Sequence, residues 1–232
     1  FCRELARRVP EVTTIVQNVN TRQTNVILGE KERVLFGPGF ILDTLCGLTF
    51  RISSQSFYQV NATQTEVLYN EAIRLANLTG AETVIDAYCG TGTIGLVAAR
   101  RGAARVIGVD SVPSAIRDAA NNARHNGVEN AEFVTQDATA FMKELEASEE
   151  RPQPLVLLMD PPRAGSAPEF LEAATSLAPE RIVYISCNPA TQARDVRQLV
   201  ESGYEVRAVR PVDMFPHTDH VESIVLLEKR ND

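Results

Sequence analysis

Val84-Ile-Asp-Ala-Tyr-Cys-Gly-Thr-Gly-Thr-Ile-Gly-Leu96 is the stretch whose reading decides the fold. An apolar run ends at Asp86, passes through a turn holding Gly90, Gly92 and Gly95, and continues as a helical run through Leu96, Val97, Ala98 and Ala99. That order is strand, tight loop, helix. Glycines let the backbone come close to a bound nucleotide-like group, and the helix N-terminus that follows offers unpaired N–H donors beside it. The spacing fits G-x-G-x-x-G, and Asp110 closes the next apolar run twenty positions after Gly90, where it can hold ribose hydroxyls. Dinucleotides and S-adenosylmethionine fit this stretch equally, so the rest of the chain must choose.

Downstream of Thr83, strand-like and helix-like runs alternate. The strands read as Thr83–Asp86, Arg105–Val109, Glu132–Thr135, Leu155–Asp160, Arg181–Ile185, Glu205–Arg210 and Ser223–Leu227. Helices fill the gaps between the first six, and 113–126 is the clearest: proline sits in its first turn, and Ile116, Ala119, Ala120 and Ala123 make one apolar face. Alternation of this kind implies a parallel sheet covered on both faces. Only Val212 to Glu222 separates the last two strands, and no helix pattern fits there, so the final strand is expected to run antiparallel. The expected fold is α/β, a Rossmann-like seven-stranded sheet with its last strand reversed, an arrangement associated with methyltransferases, whereas dinucleotide domains usually have six parallel strands.

Upstream, β-type runs at 12–20, 33–36, 40–46 and 48–52 are punctuated by Gly29, Gly37-Pro38-Gly39 and Gly47, which reads as a small antiparallel lobe. A helix follows, capped by Thr63 or Thr65, with Leu68, Ala72, Leu75 and Ala76 as its stripe and Asn77 to Gly80 as its end. The expected domains are a β-rich lobe over 1–60 and a catalytic domain over 61–232.

The 30 acidic and 23 basic residues leave a net charge of −7, which speaks against broad nucleic-acid affinity unless a local patch or a further segment supplies it. No apolar run approaches the roughly 20 residues of a membrane-spanning helix, and a cytoplasmic protein with no membrane partner is expected. The four cysteines, Cys2, Cys46, Cys89 and Cys187, are scattered without a C-x-x-C pair, which argues against a zinc knuckle or disulfide framework and leaves lone-thiol chemistry. The chain opens on Phe1-Cys2-Arg3-Glu4-Leu5, which reads as the inside of a helix, so a C-terminal fragment of a longer protein is expected.

Ligands of open parallel sheets sit at the carboxyl ends of strands. Asp86-Ala-Tyr88, Asp110, Gln136-Asp137, Asp160-Pro-Pro-Arg163 and Ser186-Cys-Asn-Pro189 end five consecutive strands. Any one aspartate there can be a helix cap, but five polar ends in a row point to a binding crevice. Asp160-Pro161-Pro162 is stiff and suited to positioning a flat substrate. Cys187 follows the apolar run Ile182 to Ile185 and precedes a helix opened by Pro189, a setting that stabilises a thiolate. His217, His220 and Glu222 lack the i, i+4 spacing of helical zinc ligands, so no metal is expected, and Glu222 reads as an acid or base facing the crevice.

These pieces together resemble the class I, S-adenosylmethionine-dependent RNA 5-methyluridine methyltransferases, the family of the bacterial 23S rRNA and tRNA uracil-5 enzymes. The motifs are SFYQVN at Ser56–Asn61, DAYCGTGTIGL at Asp86–Leu96, GVD at Gly108–Asp110, DPPRAG at Asp160–Gly165, SCNP at Ser186–Pro189 and DMFPHTDHVE at Asp213–Glu222. The resemblance implies S-adenosylmethionine as cofactor, held by Gln59, Tyr88, Asp110 and Asp160 with Gly90, Gly92 and Asp137 around it. It implies Cys187 as nucleophile, Glu222 as base, and an RNA substrate, 23S rRNA favoured over tRNA. The family's larger enzymes carry an N-terminal RNA-binding barrel that this stretch lacks. One departure is Asp110, where the family often has glutamate; the shorter side chain keeps the charge. Phe57, Tyr58 and Phe215 are candidate stacking surfaces for a flipped base. The competing expectations are an NAD-dependent dehydrogenase, which leaves DPPR and SCNP without a role, a DNA cytosine methyltransferase, whose cysteine normally follows proline, and an RNA-binding module without activity.

Overall fold

A computed structural model of the chain describes residues 1–23, 27–29 and 31–230. It opens with helix α1 (Cys2–Arg8) and strands β1 (Ile15–Val19), β2 (Lys31–Phe36), β3 (Phe40–Leu45) and β4 (Leu48–Ser53). These strands pair antiparallel as two separate hairpins, β1 with β2 and β3 with β4. Helix α2 (Ala62–Ala76) leads into β5 (Thr83–Ala87), α3 (Thr93–Arg100), β6 (Arg105–Asp110), α4 (Pro113–His125), β7 (Ala131–Thr135) and α5 (Ala138–Ala147). The chain then continues through β8 (Leu155–Met159), α6 (Pro168–Ser176), β9 (Arg181–Ser186), α7 (Pro189–Glu201), β10 (Tyr204–Val212) and β11 (Glu222–Lys229).

The seven-stranded sheet has the order β10-β11-β9-β8-β5-β6-β7. Strands β5 to β9 run parallel, and β11 is antiparallel to both neighbours, as the missing helix between the last two strands led us to expect. The chain leaves β5 toward β6 and β7, then returns to β8 on the other side, which makes the carboxyl ends of β5 and β8 the switch point where such sheets bind ligands. Side chains alternate between the two faces. Val84, Val106, Val156 and Leu158 pack under the layer of α2 and α3, while Ile85, Leu155, Leu157 and Met159 pack under α6 and α7.

One local expectation changes. The cap of α2 is Asn61, not Thr63 or Thr65: its φ of −100° is non-helical, and its side chain accepts the Gln64 N–H at 3.2 Å. Both threonines lie inside the helix, and the Thr65 hydroxyl donates back to the Asn61 carbonyl at 2.8 Å. Helix α4 also has a second, polar face beside its apolar one. Asn126 pairs with the N–H and C=O of Thr49, Asn122 with those of Arg51, and Asp118 with the hydroxyls of Ser53 and Ser56. Four helical residues rise about 6 Å and two strand residues about 6.6 Å, so every fourth residue of α4 meets every second residue of β4. The helix thereby supplies the edge of β4 with the partners that another strand would have given, and docks the β3–β4 hairpin on the large sheet.

Candidate active site

The loop after β5 is built by its own carboxylates. Tyr88, Gly90 and Gly92 take the left-handed region, with φ of 65°, 54° and 76°. The Gly90 N–H donates to Asp110 Oδ2 at 3.0 Å, the Gly95 N–H to Asp86 Oδ2 at 2.9 Å, and the Gly92 N–H to the Cys89 carbonyl at 2.8 Å. These glycine amides are therefore occupied by the protein, two of them by carboxylates, and do not form the open cradle that a diphosphate requires. Gly95 is needed for close approach: a Cβ there would lie 2.6 Å from Asp86 Oδ2. Burial, reinforced by Asp160 and Asp110, pushes the Asp86 carboxyl up to about 8 against the opposing Gly95 N–H.

Above this loop, along the carboxyl ends of the parallel strands, lies a cleft of about 630 Å³. Gln59, Tyr88, Gly90, Asp110, Asp137, Asp160, Cys187 and Glu222 all line it. Gly92 stands apart: it caps α3, and a Cβ on it would meet the Phe133 ring at 2.7 Å, so it shapes the loop from behind. Asp110 also accepts the Val112 N–H at 2.8 Å, and Asp137 caps α5 by accepting the Ala140 N–H at 3.0 Å. Each carboxylate retains lone pairs for a ligand hydroxyl. Asp160, at the end of β8, is pushed up to about 7 by burial and by the charge of Glu222.

Strand β11 decides the other half of the cleft. Because it runs antiparallel and lies against β9, with Ser223 opposite Ser186, its first residue sits at the same edge as the carboxyl ends of the parallel strands. Glu222 and Cys187 are the next positions outward from that pair. Burial raises the Glu222 carboxyl. The Cys187 thiol is also pushed up, first by burial, then by Glu222 and Asp160, with Arg163 opposing. This corrects the expectation of a thiolate stabilised by the helix that follows. The Asn188 and Ala190 N–H groups at the start of the helix are engaged, by Ser186 Oγ at 3.0 Å and Asn188 Oδ1 at 3.1 Å, and the Cys187 N–H opposes the rise only as its last and smallest cause. Burial together with the two carboxyl groups outweighs the one guanidinium.

Of the candidate stacking rings, Phe57, which is 78% exposed, and Phe215 line the cleft. Tyr58 turns inward, its ring centroid 6.4 Å from that of Phe50. His220 is on the cleft wall, and among the described residues no cluster of three His, Cys, Asp or Glu is arranged to hold a metal ion. Val112 and Ala138 had no assigned role in the sequence, yet they line the cleft. Their signal was their position, one or two residues beyond the polar strand ends Asp110 and Asp137. No helix among the described residues is long and apolar enough to cross a membrane.

Comparison with known proteins gives a consistent set of likenesses. The tRNA (uracil-5-)-methyltransferase family profile matches residues 13–230. An uncharacterized RNA methyltransferase of Halalkalibacterium halodurans is 51% identical over 225 residues, covering 97% of this chain and 48% of that protein. One from Lactiplantibacillus plantarum is 51% identical over 227 residues, covering 97% and 49%. The chain thus spans about half the length of these curated relatives. Among solved structures, the Pyrococcus abyssi tRNA (uracil-54, C5)-methyltransferase in complex with S-adenosyl-L-homocysteine superposes with a TM-score of 0.77 at 35% identity, covering 93% of this chain and 50% of that one. A SAM-dependent methyltransferase from Agrobacterium tumefaciens, 18% identical with a TM-score of 0.65, covers 86% and 74% and shares the fold alone.

Proposed function

The chain belongs to the tRNA (uracil-5-)-methyltransferase family, and from that premise we propose that it transfers a methyl group from S-adenosylmethionine to carbon 5 of a uridine in RNA. The observation that carries the reading is the placement of Cys187 and Glu222 side by side, on the ends of adjacent strands, in one cleft with Asp160. In this reading residues 61–232 are the catalytic domain, and the lobe over 1–60 brings Phe57 and Gln59 to its edge.

The chemistry of the cleft suits the cofactor. Val112 and Ala138 offer apolar contact for an adenine, while the carboxylates of Asp110, Asp137 and Asp160 suit ribose hydroxyls and cationic groups. The closed glycine amides favour a ligand without a diphosphate, which disfavours the dinucleotide alternative. When bound, S-adenosylmethionine supplies an electrophilic methyl group.

Uracil carbon 5 is a poor nucleophile, and Cys187 is placed to activate it. The thiol first gives its proton to water, helped by Arg163 against Glu222 and Asp160. Its sulfur then adds to carbon 6, and the carbon 5–carbon 6 pair shifts to give an enolate that is nucleophilic at carbon 5. After carbon 5 is methylated, Glu222 takes its proton, the double bond re-forms, and the carbon–sulfur bond breaks to release the thiolate. Burial strengthens Glu222 as a base by raising its affinity for that proton. Asp160 and Gln59 hold the cofactor or the edge of the base. A stacked uridine hides both faces, so the target is flipped out against Phe57 or Phe215.

Two RNA substrates stand as readings: 23S rRNA, which the sequence resemblance favours, and tRNA, which the 35% identity to an enzyme named for tRNA uracil-54 favours. The intact protein, incubated with RNA carrying 5-fluorouridine, is expected to form a covalent adduct, because fluorine cannot leave as a proton. If the Cys187→Ala variant still forms it, the nucleophile is misassigned. Incorporation of labelled methyl groups into 23S rRNA or tRNA from cells lacking the gene separates the two substrates.

A further inference from the structure

Helix α7 begins two residues after Cys187, and its inward side chains grip the elements that carry the other cleft groups. Gln192 is 3% exposed, and its Nε2 donates to the Tyr184 carbonyl on β9 at 2.9 Å and to the Ser223 carbonyl on β11 at 3.1 Å. Tyr184 lies three residues before Cys187, and Ser223 directly follows Glu222. The β9–β11 ladder already joins these strands, and this one amide nitrogen adds a side-chain cross-link just beneath the pair.

Asp195, 1% exposed, ties in the loop that follows Asp160. Its Oδ2 accepts the Ser166 N–H at 2.8 Å and the Tyr184 hydroxyl at 2.7 Å, and its Oδ1 accepts from the Arg194 guanidinium at 2.7 and 2.8 Å. The same guanidinium donates to the Ala164 carbonyl at 3.0 Å. Gly165, at φ 80°, packs so close that a Cβ on it would lie 2.5 Å from Asp195 Oδ2. The Arg163 carbonyl accepts from Asn188 Nδ2 at 3.3 Å and from the Thr191 hydroxyl at 3.1 Å. Ser166 in turn accepts from the Tyr88 hydroxyl at 3.4 Å, which reaches the cleft wall.

An apolar side chain would fill either buried position without the cost of desolvating an amide or a carboxylate. What the polar groups add is direction: a hydrogen bond fixes distance and angle where a methyl group fixes neither. We propose that Gln192 and Asp195 are positioning residues, Gln192 keeping Glu222 beside Cys187 and Asp195 keeping the 160–166 loop against the same turn. Neither touches substrate. The proposal rests on the reading of Cys187 and Glu222 as the reacting pair, and a misplacement of about 1 Å in such a pair can cost on the order of 100-fold in rate.

The test uses the intact protein, RNA from cells lacking the gene, and the variants Gln192→Met, which keeps length without a donor, Asp195→Ala, and Asp195→Asn, which keeps one acceptor. The expected result is a kcat at least about tenfold lower in Gln192→Met and Asp195→Ala, with KM for S-adenosylmethionine and affinity for S-adenosylhomocysteine within about twofold of wild type in Gln192→Met, whose tether touches no cofactor-holding group. Asp195→Asn recovers part of the loss. Alkylation of Cys187 by iodoacetamide, followed by peptide mass spectrometry, needs no RNA. The groups facing the thiol are Glu222 on β11, Asp160 at the end of β8 and Arg163 on the next loop, with His220 on the same cleft wall. Freeing Glu222 is expected to move half-maximal alkylation to lower pH in Gln192→Met. Unchanged kcat and an unchanged alkylation profile in Gln192→Met and Asp195→Asn would overturn the proposal. So would losses in kcat, cofactor affinity and melting temperature that run in parallel, which mark a structural role alone. Normal turnover by Cys187→Ser would instead remove the reaction assignment, and the alkylation profile would still read the tether.

Discussion

Replacing Asn122 with alanine breaks the polar ladder at the point where it also holds the glycine loop. Asn122 is fully buried; its Oδ1 accepts the Arg51 N–H at 2.7 Å, and its Nδ2 donates to the Thr91 carbonyl at 3.2 Å and the Arg51 carbonyl at 3.4 Å. Alanine leaves a strand N–H and a loop carbonyl without their partners; each loss costs about 1–3 kcal/mol, and the longer bond, at 3.2 Å, falls at the low end near 1, so a total of roughly 2–4 kcal/mol is expected. At about 2–4 °C per kcal/mol for a protein of this size, thermal unfolding should shift down by roughly 5–15 °C. Asn126→Ala is the control. It removes a similar pair of bonds to Thr49 at a half-buried site, where water can replace them, and should cost about 1 kcal/mol. Because Thr91 belongs to the loop beneath the cleft, Asn122→Ala should also weaken S-adenosylhomocysteine binding in titration calorimetry, whereas Asn126→Ala should not. A melting shift under about 2 °C for Asn122→Ala, or an equal shift for the two variants, would refute the reasoning that this ladder docks the hairpin and steadies the loop.

Other outcomes follow from the same geometry. Glu222→Gln should slow turnover by about 10²–10⁴-fold and accumulate the methylated protein–RNA adduct, seen as a shifted band on a denaturing gel; rapid turnover would exclude Glu222 as the base. Gly95→Ala should lose about 1–3 kcal/mol in urea unfolding and lose S-adenosylhomocysteine binding, because the new Cβ sits 2.6 Å from Asp86 Oδ2. The pH dependence of stability has a definite sign. Asp86 titrates near 8 in the fold against an ordinary 3.8, so between those values the folded chain binds more protons than the unfolded one, and this group makes stability fall as pH rises. Asp160, near 7, acts in the same direction over pH 4 to 7, so urea midpoints measured at pH 5.5 and 8 should decline, and Asp160→Asn should flatten part of that decline. A midpoint that rises across this range would contradict the buried, uncompensated state of both carboxyls.

Much of the architecture was written locally. The apolar run ending at Asp86, the glycines after it and the alternating strands and helices are patterns of period two and 3.6, each carried within one segment, so the sheet and its five polar strand ends could be read without coordinates. The reversal of the last strand was also legible, since Val212 to Glu222 holds no helix with which to cross back. Strand order was not. That β11 inserts between β9 and β10, bringing Glu222 next to Cys187 across 35 positions of chain, depends on which faces pack together, and no single segment encodes it. The fate of the glycine amides was equally hidden, because the motif is the same whether Asp86 and Asp110 or a diphosphate receives their hydrogens. For the thiol, the sequence pointed the wrong way: the helix following Cys187 is a local feature, whereas the carboxyls of Asp160 and Glu222 arrive from two other strands, and their charges together with burial set the balance. Local order along the chain fixed which groups stand at the sheet's edge; only the tertiary structure, through desolvation and through contacts between distant segments, decided which of them meet and which way their proton affinities shift.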